Sequence, residues 1–348
     1  MKLSLAIGCA ALFLQNIPVN ASTALSYLES GIEKARLEKY EDAINDFYLA
    51  IKLDPSNAYA YYNLGTAKAR GMGEFKDAID YFSKAIEINP EYSLAYNNRG
   101  NAKKNLGNYL AAIDDYTKAI EINPAYDIAH YNRGIAKKNL GNYPGAIDDY
   151  DKAIEINPLN QSAYNNRANA NYELLDYKSA IEDYDKAIEI NPSYIQAYYN
   201  RASAKNNIGD FKGAFVDFNQ VIELNPQYAF AYYNRAGVRN KGLSDTYGAL
   251  RDYTKSISLD TNHYPSYNNR GNIKRKLGDL DGAIYDFDQA ININPEYSIA
   301  YYNRGLVKQD IGNTAAACMD YNFAISYGNR DLVKWIKMQI MAWCDEVN

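Results

Sequence analysis

Histidine is nearly absent: the 348-residue chain has 2, with 3 Cys and 2 Trp. So few imidazoles and thiols leave little material for a nucleophile–base pair or a zinc site, both of which need several such groups to converge. A charge excess of one sign is lacking too. Lys and Arg number 37 against 42 Asp and Glu, a formal net charge of -5, which gives no cationic field for nucleic acid or anionic lipid. Long apolar runs are missing. The run from Leu3 to Leu14 covers twelve residues, short of the roughly 20 that span a bilayer.

That run has a different meaning. Lys2, the apolar stretch and the small residues of Val19-Asn20-Ala21 read as a secretory leader, residues 1–21, cleaved after Ala21. A lipoprotein reading through Cys9 leaves too few apolar residues before the cysteine. The mature chain is therefore expected to be exported, with no membrane span, and to work in the periplasm or an equivalent extracytoplasmic compartment.

What the chain has in excess is tyrosine, 35 copies, and a repeating phrase. "AYNNRGNAKKNLGNYLAAIDDYTKAIEINP" (95–124) is followed by "AHYNRGIAKKNLGNYPGAIDDYDKAIEINP" (129–158). Pro55, Pro90, Pro124, Pro158, Pro192 and Pro226 lie 35, 34, 34, 34 and 34 residues apart; Thr261 is the next marker and Pro295 follows. A period of this size indicates stacked supersecondary units rather than one compact core. Inside a unit, apolar and small residues recur at helical steps from Ser93 to Leu106, Gly107-Asn108 interrupts them, and a second run from Leu110 ends at Asn123-Pro124. "RGMGEF" (70–75) has no phosphate-loop spacing, and its extra residue suggests a loop insertion.

Tyr96, Gly100, Ala112, Tyr116 and Pro124 match the spacing of the tetratricopeptide repeat, and nearly the whole mature chain resembles that family. The resemblance implies an all-α, right-handed solenoid of nine helix–turn–helix units over 22–329 with a concave inner face. A capping helix over 330–348 would present Leu332, Trp335, Ile336, Gln339, Met341 and Trp343 to the last unit.

Taking the proline as position 32, position 7 is Arg99, Arg133, Arg167, Arg201, Arg235, Arg270 and Arg304, where the family is apolar. Position 23 of the same units is Asp115, Asp149, Asp183, Asp217, Asp252, Asp286 and Asp320. The second unit has Leu64 and Tyr81 at these places, so both charges vanish together. A partly buried guanidinium needs a carboxylate, so seven ion pairs within units are expected, with a structural role. The alternative is an arginine ladder for phosphate or carboxylate ligands.

Position 6 is Asn in eight consecutive units: Asn63, Asn98, Asn132, Asn166, Asn200, Asn234, Asn269 and Asn303. Asparagine is a mediocre helix-interior residue, so eight copies need a cause. In the family this stripe lines the groove, and the ladder resembles that of O-linked N-acetylglucosamine transferases, which hold polypeptide by its backbone. An amide can bracket a peptide group or bond a neighbouring helix, and the sequence leaves both open. Tyr131, Tyr199, Tyr233, Lys104 and Lys138 are expected beside the stripe, making a polar, mildly basic groove suited to an extended segment with polar or acidic side chains. The carboxylate clamp for heat-shock chaperone C-termini is not expected: its Asn positions recur, but Lys at 5, Lys at 2 and Arg at 6 do not.

Cys318 falls at position 21 of the last unit and Cys344 at the end of the capping segment. If that segment runs antiparallel to its predecessor, the two form a disulfide, as suits an exported protein. No enzyme, cofactor or metal site is expected. The reading is a scaffold or assembly factor that binds protein or peptide. A purely structural scaffold joined through its ends or convex face is the alternative, and polysaccharide binding by the tyrosines has no motif to support it.

Overall fold

A computed structural model describes residues 19–338 and Cys344. The expected leader lies outside the described residues except for 19–21, which open the first helix; Gln339, Met341 and Trp343 also lie outside them. Two compact units divide after Leu175. The first contains α1 (Val19–Arg36), α2 (Tyr40–Leu53), α3 (Ala58–Ala67), α4 (Phe75–Ile88), α5 (Ser93–Asn105), α6 (Tyr109–Ile122), α7 (Asp127–Asn139), α8 (Tyr143–Ile156) and α9 (Gln161–Glu173). The second contains α10 (Tyr177–Ile190), α11 (Ile195–Asn207), α12 (Phe211–Leu224), α13 (Ala229–Lys241), α14 (Thr246–Leu259), α15 (Tyr264–Lys276), α16 (Leu280–Ile293), α17 (Ser298–Asp310), α18 (Thr314–Tyr327) and α19 (Arg330–Ile336). Among the described residues there is no strand. Each unit is an all-α solenoid of helical hairpins.

The turns follow from particular residues. Gly107 adopts φ +78°, the left-handed conformation that closes α5. The next residue, Asn108, then caps α6 by accepting from the Ala111 amide. Asn142, Asp210, Asp245, Asp279 and Asn313 do the same for later second helices. Leu175, Glu38 and Ser244 take φ +64°, +58° and +54° where the other six repeats use glycine, a conformation costing about 1 kcal/mol for a residue with a Cβ. At the far end, Asn123 Oδ1 accepts from the Ala125 amide, and Asn89, Asn157, Asn191, Asn225 and Asn294 repeat the bond two residues on. This Asx turn explains why asparagine precedes the proline.

Close packing sets the hairpin's interior. A Cβ on Gly100 would lie 2.7 Å from the ring of Tyr116, which has no exposed area. Ala112 and Ala119 are equally enclosed. First helices of successive repeats also touch one another, α1 with α3, α5 with α7 and α7 with α9 in the first unit, and α15 with α17 in the second. They make a continuous first-helix face within each unit.

The extra residue of the second repeat is not a loop insertion. Lys68–Met72 forms a π-helical turn that prolongs α3, closed by Gly73 at φ +68°. The wider turn absorbs one residue without leaving the helix. Gly71 makes it possible, since a Cβ there would overlap the Tyr40 ring.

In the second unit Ile336 is fully buried against the last hairpin with Leu332 partly covered, and Trp335 meets Tyr302 edge-on at 5.4 Å. Cys318 and Cys344 are joined as a disulfide.

Candidate functional site

The asparagines form a ladder, but its rungs run between repeats. Asn98 Nδ2 donates to Tyr62 Oη (3.0 Å), Asn166 to Tyr131 Oη (2.9 Å), Asn234 to Tyr199 Oη (2.7 Å) and Asn269 to Tyr233 Oη (3.2 Å). Where position 5 is Asn instead, Asn132 donates to Asn97 Oδ1 (3.0 Å) and Asn303 to Asn268 Oδ1 (2.9 Å). The rule is that position 6 donates to the position-5 oxygen of the preceding repeat. Asn63 shows it by exception: Leu28 precedes it at position 5, and its amide turns to its own Tyr59 carbonyl (2.7 Å). Asn200 Oδ1 accepts from Gln196 (3.0 Å). Asn132 and Asn303 are buried. These amides already hold neighbouring first helices together.

Tyr131, Tyr199 and Tyr233 are partly buried, each with its ring against an aromatic of its own second helix, Tyr150, Phe218 and Tyr253, at 6.0, 5.8 and 5.8 Å. Their bodies belong to the core and their hydroxyls to the ladder.

The arginines are bound on two sides. Arg99 meets Asp115 through Nε and Nη2 (2.7 Å from Nη2), and Arg133–Asp149, Arg201–Asp217, Arg235–Asp252, Arg270–Asp286 and Arg304–Asp320 repeat that contact at 2.6–2.7 Å. Nη1 reaches back to the second helix of the preceding repeat: Arg99 to Ser83, Arg133 to Thr117, Arg167 to Asp151, Arg201 to Asp185, Arg235 to Asn219, Arg270 to Thr254 and Arg304 to Asp288. Each planar guanidinium thus ties its own hairpin to the one before it. Asp183 is buried.

A third group completes the cluster. Lys103 lies 2.7 Å from Asp115, and Lys137, Lys205, Lys274 and Lys308 occupy the same place at 2.8–2.9 Å. In the first repeat, Ser30 and Lys34 both contact Asp46 at 2.6 Å. Burial alone would raise the Asp149 pKa, but the cations around it outweigh burial and hold it at about 2. His130 Nδ1 stands 3.9 Å away, beyond hydrogen-bond range, so Arg133 and Lys137 account for the depression. The adjacent Asp148 points to solvent while Asp149 is buried, so the Asp-Asp pairs do not converge. Among the described residues, no group of three or more His, Cys, Asp and Glu could hold a metal ion.

Arg70 and Lys104 lie outside these clusters. A recess of about 460 Å³ opens on the first-helix face of the first unit, between the π-turn, α4, α5 and α7. Its lining includes Arg70, Lys104, Asn98, Asn101 and Asn105, with Phe75 and Phe82 as apolar wall and no carboxylate. Burial pushes the Lys104 ammonium below its usual pKa. Lys138, similarly lowered by burial, finds Asn166 Oδ1 at 3.3 Å. In the second unit Arg275 is neutralised by Asp310 at 2.6 Å.

Family models for the tetratricopeptide repeat match residues 58–92, 93–126, 128–160, 162–194 and 195–228, and a model described as TPR repeat matches 33–71 and 271–312. The chain belongs to the tetratricopeptide-repeat family. Among solved structures, the C-terminal part of a TPR repeat-containing protein from Cytophaga hutchinsonii is 18% identical with a TM-score of 0.58, covering 69% of this chain and 97% of that one. PilF of Pseudomonas aeruginosa is 19% identical with a TM-score of 0.54, covering 60% and 95%. YrrB, described as a TPR protein with an unusual peptide-binding site, is 25% identical with a TM-score of 0.48, covering 53% and 95%. No curated protein matches the chain. No helix among the described residues is long and apolar enough to cross a membrane.

The tetratricopeptide pattern supplies the glycine, alanine and aromatic register; sequence reasoning missed the position-11 cation. Its signal was the four-residue step from each arginine, which places Lys103 on the same helical face as Arg99. It also missed what position 9 does. Asn101 Oδ1 accepts from Tyr116 Oη (2.9 Å), whereas the fourth repeat has Ile135 there and the buried Tyr150 hydroxyl has no partner among the described atoms. Tyr150→Phe should leave stability unchanged or raise it by about 1 kcal/mol, while Tyr116→Phe should lose about 1 kcal/mol. Urea melts of the two variants check this opposition of sign.

Proposed function

We propose that the chain is a non-catalytic scaffold or assembly factor that holds protein or extended peptide on its first-helix face, working in the periplasm or an equivalent extracytoplasmic compartment. In this reading residues 1–21 are a removed leader, 22–329 the repeat array and 330–348 its cap. The observation that carries it is the recess of the first unit, where Arg70 and Lys104 face open space with no carboxylate in the lining. Asparagine contributes mainly by stiffening the array, so recognition falls to the cations and exposed amides between the rungs. Such a surface favours polar or acidic segments held by many weak contacts.

A second reading has its own support. The outward position 22 is acidic in the second to fifth repeats, as Asp80, Asp114, Asp148 and Glu182, but becomes Val216, Tyr285 and Met319 in the sixth, eighth and ninth, which are 62%, 58% and 61% exposed. Assembly through that second-helix face would leave the first-helix face unoccupied. A photo-crosslinking residue at exposed Asn105 and another at exposed Met319 separate the two. Polypeptide adducts from the exported fraction at Asn105 and not at Met319 are expected; the reverse pattern overturns the proposal.

A further inference from the structure

The recess gathers two cations with no carboxylate in its lining. Within that unit's hairpins Arg99, Arg133, Lys103, Lys137 and Lys34 all contact a carboxylate. Lys104 is half buried and has no side-chain partner among the described residues, and Arg70, exposed at the recess rim, has none either. Nearby Lys68 takes Glu74 at 2.5 Å, so that carboxylate is already committed, and Glu38, Glu41 and Asp42 line a separate recess beside Gly71 and Met72.

A directed donor joins them. The Tyr116 hydroxyl binds Asn101 Oδ1, and Asn101 lines the recess, so its Nδ2 group, which has no partner among the described residues, remains available as a donor there. Arg70, carried by the π-turn, lines the same recess. Phe75 and Ala102 provide apolar wall for a short methylene stem. A volume of about 460 Å³ lies within the range of small-ligand pockets.

We propose that this recess is a subsite for the side-chain carboxylate of a Glu or Asp in a bound polypeptide, with Arg70 and Lys104 supplying charge and the Asn101 amide a directed hydrogen bond. The inference rests on the peptide-scaffold reading and makes it specific. Charge-assisted bonds of this kind are the strong ones, and Arg with Lys lets one carboxylate be held from two sides. The chaperone clamp places its cations at positions 2, 5 and 6, whereas Arg70 and Lys104 stand at positions 13 and 12, so this is a separate arrangement. Burial lowers the Lys104 pKa, and an arriving carboxylate favours the charged ammonium. Nothing equivalent holds at Arg275, which Asp310 already occupies.

The test uses the full mature chain and a fluorescein-labelled Gly-Ser-Glu-Glu-Ser-Gly peptide amidated at its C-terminus. Gln-for-Glu versions, amidated and with a free C-terminal carboxylate, are the controls. Anisotropy titration should show the Glu peptide bound, the amidated Gln peptide bound about tenfold more weakly, and Lys104→Met or Arg70→Met each costing about tenfold with the melting temperature unchanged. Acetylation of Lys104, followed by mass spectrometry, should slow when the Glu peptide is present. Equal binding of the amidated Glu and Gln peptides, or indifference to both substitutions, overturns the subsite while leaving peptide binding elsewhere on the face intact. Tighter binding of the free-acid Gln peptide than of the Glu peptide overturns the side-chain assignment in favour of a chain terminus. Binding of none of the three overturns the subsite, and the crosslinking at Asn105 then decides the broader reading separately.

Discussion

Asp286→Asn should destabilise the protein by about 3–5 kcal/mol and lower its melting temperature on the order of 10 °C. Asp286 has no exposed area and receives Arg270 at 2.7 Å and Lys274 at 2.9 Å. The substitution keeps the shape and removes the charge, leaving two cations in a poorly hydrated site. The pair's net worth is a different quantity. Replacing Arg270, Lys274 and Asp286 together by apolar residues of similar volume should recover most of the loss, because the desolvation cost leaves with the charges. Stability in a stacked array is close to a sum of repeat and nearest-neighbour terms. Arg270 also reaches Thr254 of the preceding repeat, so both terms are affected. A loss below 1 kcal/mol in a urea melt contradicts this account of the cluster.

Opening the Cys318–Cys344 disulfide should cost about 3 kcal/mol, the chain-entropy value for a closure of 26 residues. The bond holds the capping segment against the last hairpin, where Ile336 is fully buried and Trp335 lies on Tyr302. Cys318→Ala/Cys344→Ala should therefore lower the melting temperature and shift the tryptophan emission, since freeing the cap takes the half-exposed Trp335 ring off Tyr302. A reductant should reproduce the effect in the native chain and leave the variant unchanged. Two free thiols in unreduced protein would remove the basis of this prediction.

Much of the scaffold is legible in the sequence because each hairpin is local. Gly107 and Asn108 specify a left-handed closure and a cap within two residues, and Gly100 with Tyr116 specifies the approach of two helices. The Arg99–Asp115 register could be read by counting, since presence and absence went together in the second repeat. What could not be read depends on the offset between repeats. The reach of Arg99 to Ser83 and of Asn98 to Tyr62 is set by how far one hairpin is displaced against the next, which no 34-residue window contains. Tyr and Asn alternate at position 5, and both are oxygen acceptors for the same inter-repeat bond. "RGMGEF" looked like a loop because glycines usually mark turns, yet here Gly71 admits the Tyr40 ring and lets a helix widen.

The central division is between polar residues that hold the array together and those left to meet a partner. The most direct test compares Asn234→Ala/Asn303→Ala with Lys104→Met/Arg70→Met, measuring in each the thermal midpoint and the affinity for the Glu peptide. The first pair should melt lower and bind as the native chain does; the second should melt as the native chain does and lose binding. Binding abolished in the asparagine variant at an unchanged midpoint would contradict the account.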